Sequence, residues 1–157
     1  MAVLNEKLQR EIDELIDSSY EFYQNNDYDK SFELQLKAWE LFPNPKEQWS
    51  EAYNLAKYLF KDYLKMNNYV EAKVWLEKMI CVNQYLNENE EGNFYDEDVD
   101  FEAGKYNFEI GNFEEAYKLW REVVRRSGGK NHFRYFENED KKYLDFYKKQ
   151  TKLRESK

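Results

Sequence analysis

The chain has 157 residues, 24 Lys+Arg against 32 Asp+Glu, and a formal net charge of −8. Its 18% aromatic content is too high for a disordered chain and predicts one domain spanning residues 1–157, with a core built more from rings than from aliphatics. Five Gly and two Pro argue against a loop-rich β fold, and a lone Cys81 excludes an internal disulfide and fits a reducing, cytoplasmic setting.

Helical periodicity begins at the N-terminus. Leu4, Leu8, Ile12, Leu15, Ile16, Ser19, Phe22 and Tyr23 recur at three- and four-residue steps and predict a first helix over 3–23. Asn25-Asn26-Asp27 interrupts it, and a second helix is expected from Tyr28 to Phe42, stopped by Pro43 and Pro45. A third is expected over 46–66 and a fourth over about 69–86, separated by Asn67-Asn68. Residues 87–98 read as the long loop of the chain, with Gly92 inside it. A fifth helix over 99–110 is closed by Gly111, and a sixth over 113–126 by Gly128-Gly129. Residues 130–137 are expected to turn, and a last helix to run over about 139–152. No segment alternates apolar and polar residues as a strand does, and none reaches the roughly 20 apolar residues of a membrane span.

The helices fall into pairs joined by similar punctuation. The three junctions read Asn26-Asp27-Tyr28 with Ser31, Asn67-Asn68-Tyr69 with Ala72, and Gly111-Asn112-Phe113 with Ala116. Asn or Gly permits a left-handed turn, the ring wedges between the paired helices, and the small residue lets them approach. In these features, and in Gly104, Trp120 and Val123, the chain resembles the tetratricopeptide repeat over about residues 12–128. The junction rings recur at 41 and 44 residues where that family repeats at 34. The family's small residue in the first helix of each pair is Ser19 and Gly104 in two copies, but Phe60 in the middle one. The resemblance implies an all-α stack of antiparallel helical hairpins forming a superhelix. A C-terminal helix would cap the last pair through Tyr143, Leu144, Phe146 and Tyr147.

Charge is distributed unevenly along the chain. Residues 1–43 carry 4 basic and 10 acidic side chains, 44–86 carry 6 and 5, 87–116 carry 1 and 11, and 117–157 carry 13 and 6. The acidic run offers a docking surface, with Glu88, Glu90, Glu91, Asp96, Asp98 and Asp100 supplying charge and Phe94, Tyr95 and Phe101 apolar contact. Its competing reading is a solvated loop whose acids favour the following helix N-terminus. Asp96, Asp98 and Asp100 alternate as in a calcium loop, but Phe101 and Asn107 stand where an EF-hand needs Gly and Glu. The basic tail interleaves Arg121, Arg125, Arg126, Lys130 and Arg134 with His132, Phe133, Tyr135 and Phe136, a composition suited to single-stranded nucleic acid. The acidic net charge disfavours that reading.

The resemblance implies a binding groove lined by the first helix of each pair, and by helical phase that face would present Tyr20, Tyr23 and Gln24, then Asn54, Lys57, Lys61 and Lys65, then Phe101, Lys105 and Phe108. Ile16, Tyr20, Tyr58, Asp98 and Glu102 stand at the positions of the carboxylate clamp found in chaperone-binding members, so recognition of chaperone tails is not implied. Catalysis finds no footing. His132 is the single histidine, and Cys81 sits among Met79, Ile80 and Val82 where a buried structural thiol is expected. No phosphate loop, dinucleotide fingerprint or nucleophile elbow occurs, and neither cofactor nor metal is implied. The function expected is non-catalytic protein binding. Its sharpest form is an immunity-type inhibitor that neutralises a basic toxin domain by charge-complementary capture. The alternative is a scaffold or chaperone-like adaptor that holds a peptide in the concave groove.

Overall fold

The computed structural model describes residues 1–92, 94–129 and 132–156. Among them run seven α-helices: α1 Glu6–Gln24, α2 Tyr28–Leu41, α3 Ser50–Lys65, α4 Tyr69–Asn89, α5 Asp96–Glu109, α6 Phe113–Arg126 and α7 Lys141–Glu155. Short 3-10 turns occupy Lys46–Gln48 and Arg134–Phe136. The described residues contain no strand, and α1 packs on α2, α3 on α4 and α5 on α6. No helix of the described residues is long and apolar enough to cross a membrane.

The three helix-to-helix junctions share one backbone solution. Asn26 and Asn67 take left-handed φ of 63° and 58°, and Gly111 takes 84°. Asp27 then caps α2 by accepting from Lys30 N at 3.2 Å, and Asn68 caps α4 by accepting from Glu71 N at 3.2 Å. In the first two junctions the ring turns back on the turn residue: Tyr28 OH donates to Asn26 Oδ1 at 2.9 Å and Tyr69 OH to Asn67 Oδ1 at 3.2 Å. Ser31, Ala72 and Ala116, one turn on, are all buried between paired helices.

The chain folds as two compact units, Met1–Phe94 and Tyr95–Lys157. The first holds α1 to α4 around Ile12, Phe42, Tyr53, Leu59, Phe60, Met79 and Leu86. Prolines end α2, and Lys46 closes that end: its ammonium donates to the carbonyls of Trp39, Glu40 and Phe42 at 3.0, 3.2 and 2.7 Å. The third helix starts at Ser50 rather than Lys46 because residues 46–48 form the 3-10 turn, with Trp49 Nε1 donating to Pro43 O at 2.7 Å.

The second unit holds α5 to α7 around an aromatic core. Phe101, Trp120, Phe136, Tyr143 and Tyr147 are buried together, with Phe108, Leu144 and Phe146 against them. The ring-dominated core expected for the whole chain is thus a property of this unit, where Tyr147 stacks on Tyr117 at 5.3 Å and on Phe136 at 5.7 Å. The fifth helix begins at Asp96, three residues before the expected start, so Asp96, Glu97 and Asp98 form its first turn. Carboxylates are favoured there by the unpaired amides and dipole of a helix start.

Candidate functional site

In the first unit, three helices enclose a cleft of about 740 Å³. Each contributes a face at three- and four-residue steps. From α1 come Ile16, Tyr20 and Tyr23; from α2, Ser31 and Gln35; from α3, Tyr58, Lys61, Asp62 and Lys65. The N-terminal register of α1 is set by Asn5, whose side chain accepts from Lys7 N at 2.9 Å and Leu8 N at 3.4 Å. Ser19 and Ser31, both buried, keep the helices close behind the opening.

The cleft has a polar floor and aromatic walls. Gln35 Nε2 donates to Ser31 Oγ and to Asp62 Oδ2, each at 3.2 Å, which ties α2 to α3. That fixes the amide orientation, and Gln35 Oε1 is left buried without a hydrogen-bond partner. Burial pushes the Asp62 carboxyl above its ordinary value, opposed by the Gln35 hydrogen bond and by Lys65 and Lys61. The Tyr23 hydroxyl is pushed up as well, first by burial and then by the Asp62 charge and by Tyr28. Around the floor, Tyr20 is 63% exposed and Tyr58 51% exposed. Gln24 Nε2 donates to Tyr20 OH at 2.8 Å, which steadies that ring. Two large exposed rings thus stand beside a concave polar floor.

Of the residues expected to line a groove, Tyr20, Tyr23, Lys61 and Lys65 come together here, whereas Gln24, Asn54 and the half-buried Lys57 are outside the lining and Phe108 packs against the second unit's core. Phe101 and Lys105 require correction. Phe101 is 1% exposed, seated between Trp120 and Phe136, and belongs to the second unit's core. Lys105, 4% exposed, lies 3.0 Å from both Glu102 Oε2 and Glu139 Oε2. Helical phase placed both on the open face, but α7 and the 134–136 turn bring rings and Glu139 over that face of α5.

The acidic run is divided between the units. Glu88 and Glu91 are exposed, while Glu90 and Phe94 are half-buried, with Phe94 N donating to Asn87 Oδ1 at 3.1 Å. Tyr95, Asp96, Asp98 and Asp100 are half-buried at the start of α5. Two of the run's carboxylates, Glu97 and Asp100, are met within the second unit by the basic tail. Asp100 pairs with Arg126, and Glu97 Oε2 accepts from Arg134, Tyr135 OH and Ser127 Oγ at 3.2, 3.1 and 3.3 Å. Arg125 pairs with Glu122 at 2.8 Å. Three tail rings pack on the core, with Phe136 buried and Phe133 and Tyr135 half-buried, while His132 is exposed, so the four do not form an open stacking platform. Lys130 lies outside the described residues.

Cys81 is also corrected: the thiol is exposed, because Met79, Val82 and Asn83 take the inward positions of α4 and leave Ile80 and Cys81 outside. Among the described residues, no group of three His, Cys, Asp or Glu side chains is arranged to hold a metal ion.

No known protein family, curated protein or solved structure matches the chain.

Gln35, Tyr58 and Asp62 are among the cleft residues that helical phase alone did not select. The signal for Gln35 was available. It sits four residues after Ser31 and beside Leu34 and Ala38, on a stripe that is otherwise small or apolar.

Proposed function

We propose that this chain is a non-catalytic protein-binding module, a divergent tetratricopeptide-like stack whose α1–α2–α3 cleft seats a segment of a partner protein. In this reading α7 acts as a terminal cap for the last helical pair, and the protein works in the cytoplasm. The observation that carries the proposal is the pair of exposed tyrosines, Tyr20 and Tyr58, beside a cleft whose floor holds a buried, unpartnered amide oxygen. Exposed rings flanking a concavity are typical contact-forming groups, because they bring large area at small conformational cost.

A second reading is an immunity-type inhibitor that captures a basic toxin domain through its acids. Exposed Glu88 and Glu91, and the net charge of −8, support it. The pairing of Asp100 and Glu97 with Arg126 and Arg134 reduces what the acidic run can offer such a partner. Two sets of variants separate the readings against a partner captured by the wild-type chain. Seating in the cleft predicts loss of binding with Tyr58→Asp and retention with Glu88→Lys/Glu91→Lys at moderate salt. Charge capture predicts the reverse pattern, with affinity falling steeply as salt rises.

A further inference from the structure

The cleft floor has a chemical preference that its shape alone does not convey. Gln35 is 4% exposed, and both of its known donations, to Ser31 Oγ and Asp62 Oδ2, come from the amide nitrogen. The amide oxygen therefore remains an acceptor with no donor. Beside it stands the carboxylate of Asp62, an acceptor when ionised. A ligand group that completes this floor must donate hydrogen bonds, and a positive charge on it would be matched by Asp62. Tyr20 and Tyr58 line the same cleft, and tyrosine faces attract cations. Asp17 and Glu21 on α1 add negative charge to the lining, against Lys61 and Lys65 on α3.

We propose that Gln35 and Asp62 form a receptor for an arginine side chain carried by the partner protein, with Tyr20 and Tyr58 contacting its guanidinium. The proposal rests on the cleft reading above and names the residue that the cleft selects. Arginine fits better than lysine because the guanidinium is planar and carries five donors in a fixed fork. It can donate to Gln35 Oε1 and to the Asp62 carboxylate together while presenting its face to a ring. An ammonium is a compact, strongly hydrated point charge that lies closer in kind to Lys61 and Lys65. A carboxylate would be drawn to those lysines at the rim, but would meet only acceptors at Gln35 Oε1 and Asp62.

The test is a random-peptide display selection on the full chain, counter-selected against Tyr20→Ala/Tyr58→Ala. Binding of the enriched peptides is then measured by fluorescence anisotropy. The expected result is arginine at one fixed position, with affinity falling about tenfold or more when that arginine becomes citrulline, its neutral near-isostere. A comparable loss is expected with Asp62→Asn, and a smaller one when the peptide carries lysine. Citrulline changes only the ligand, so that arm is independent of how any variant folds. Circular dichroism melts check Asp62→Asn, and Gln35→Met supplies a second floor variant. Peptides that need the tyrosines but carry no fixed arginine, or bind equally with citrulline, would overturn the arginine proposal and leave the cleft reading standing. Acidic peptides dependent on Lys61 and Lys65 would do the same. Selection of no tyrosine-dependent peptide would overturn both.

Discussion

Gly104 and Trp120 touch so closely that a β-carbon on Gly104 would lie 2.2 Å from Trp120 Nε1. The indole cannot retreat freely. It is fully buried, it donates to Phe101 O at 3.0 Å, and Phe136 and Tyr143 meet it edge-on at 5.3 and 5.7 Å. Gly104→Ala should therefore destabilise the second unit by about 1–3 kcal/mol, the usual cost of overpacking a close-packed core. Urea denaturation followed by tryptophan fluorescence would measure it. An unchanged midpoint would mean that α5 can shift away from α6 at little cost.

Gly111 makes the opposite prediction for its own site. Its φ of 84° is left-handed, but an added β-carbon would meet nothing within 4 Å. The penalty there is conformational, and Asn26 and Asn67 already bear it at the two equivalent junctions. Gly111→Asn should be nearly neutral, Gly111→Ala should cost about 1 kcal/mol, and Gly111→Val more. Thermal melts of the three variants would rank them, and an Asn variant as unstable as the Val variant would break the equivalence of the junctions.

These junctions were the most legible part of the sequence, since turn chemistry is local. Asn26, Asn67 and Gly111 mark a left-handed backbone whatever surrounds them. Helix α6 was legible to the residue because Asn112 and Gly128-Gly129 bracket it. What local patterns did not carry was which helical face meets a later segment. Phe101 and Lys105 have the phase of an open groove, yet rings 34 to 38 positions downstream cover them. Cys81 fails for a related reason, since α4 is apolar on more than its buried face and periodicity cannot choose between Cys81 and Val82. The cleft was half-legible: Tyr20, Tyr23 and Lys61 have the right phase, but the Gln35–Asp62 bond joins residues 27 apart.

Cys81 yields a direct check on α4. An exposed thiol on the outer face of a helix should react with a maleimide or an aromatic disulfide in the native protein, one equivalent per chain. Labelling should proceed at a rate close to that of the chain unfolded in denaturant. Protection by a hundredfold or more, on the order expected of a thiol reached only by unfolding, would place Cys81 inside and rotate α4 relative to its neighbours.

The Lys105 cluster predicts strong coupling. Lys105 bridges Glu102, which is 1% exposed, and Glu139, and its ammonium also lies 5.9 Å from the rings of Phe101 and Tyr143. Lys105→Met removes the cation and leaves Glu102 buried without it, at a cost of about 3–5 kcal/mol. Lys105→Met/Glu102→Leu removes both members of the most buried pair, leaves only the more exposed Glu139, and should recover much of that loss, since apolar replacements of buried pairs are often neutral. A double variant as unstable as the single one would mean that Glu102 does more than neutralise Lys105.

Asp62 makes the stability of the first unit depend on pH in a direction opposite to that of a salt-bridged carboxylate. Burial raises its pKa in the folded chain above the ordinary 3.8, despite the Gln35 hydrogen bond and the nearby Lys65 and Lys61. Between the unfolded and folded values the native state binds more protons than the unfolded one, so unfolding free energy falls as pH rises. The contribution from Asp62 is fully present below about pH 4 and is lost as pH climbs through the raised folded value. Asp62→Asn keeps an oxygen to accept from Gln35 Nε2 but cannot ionise. Its melting temperature should match the wild type in acid and exceed it at neutral pH, with the gap opening across the window where Asp62 ionises. Wild-type and variant curves that run parallel from pH 3 to 7 would mean that the half-buried Asp62 is solvated well enough to ionise freely.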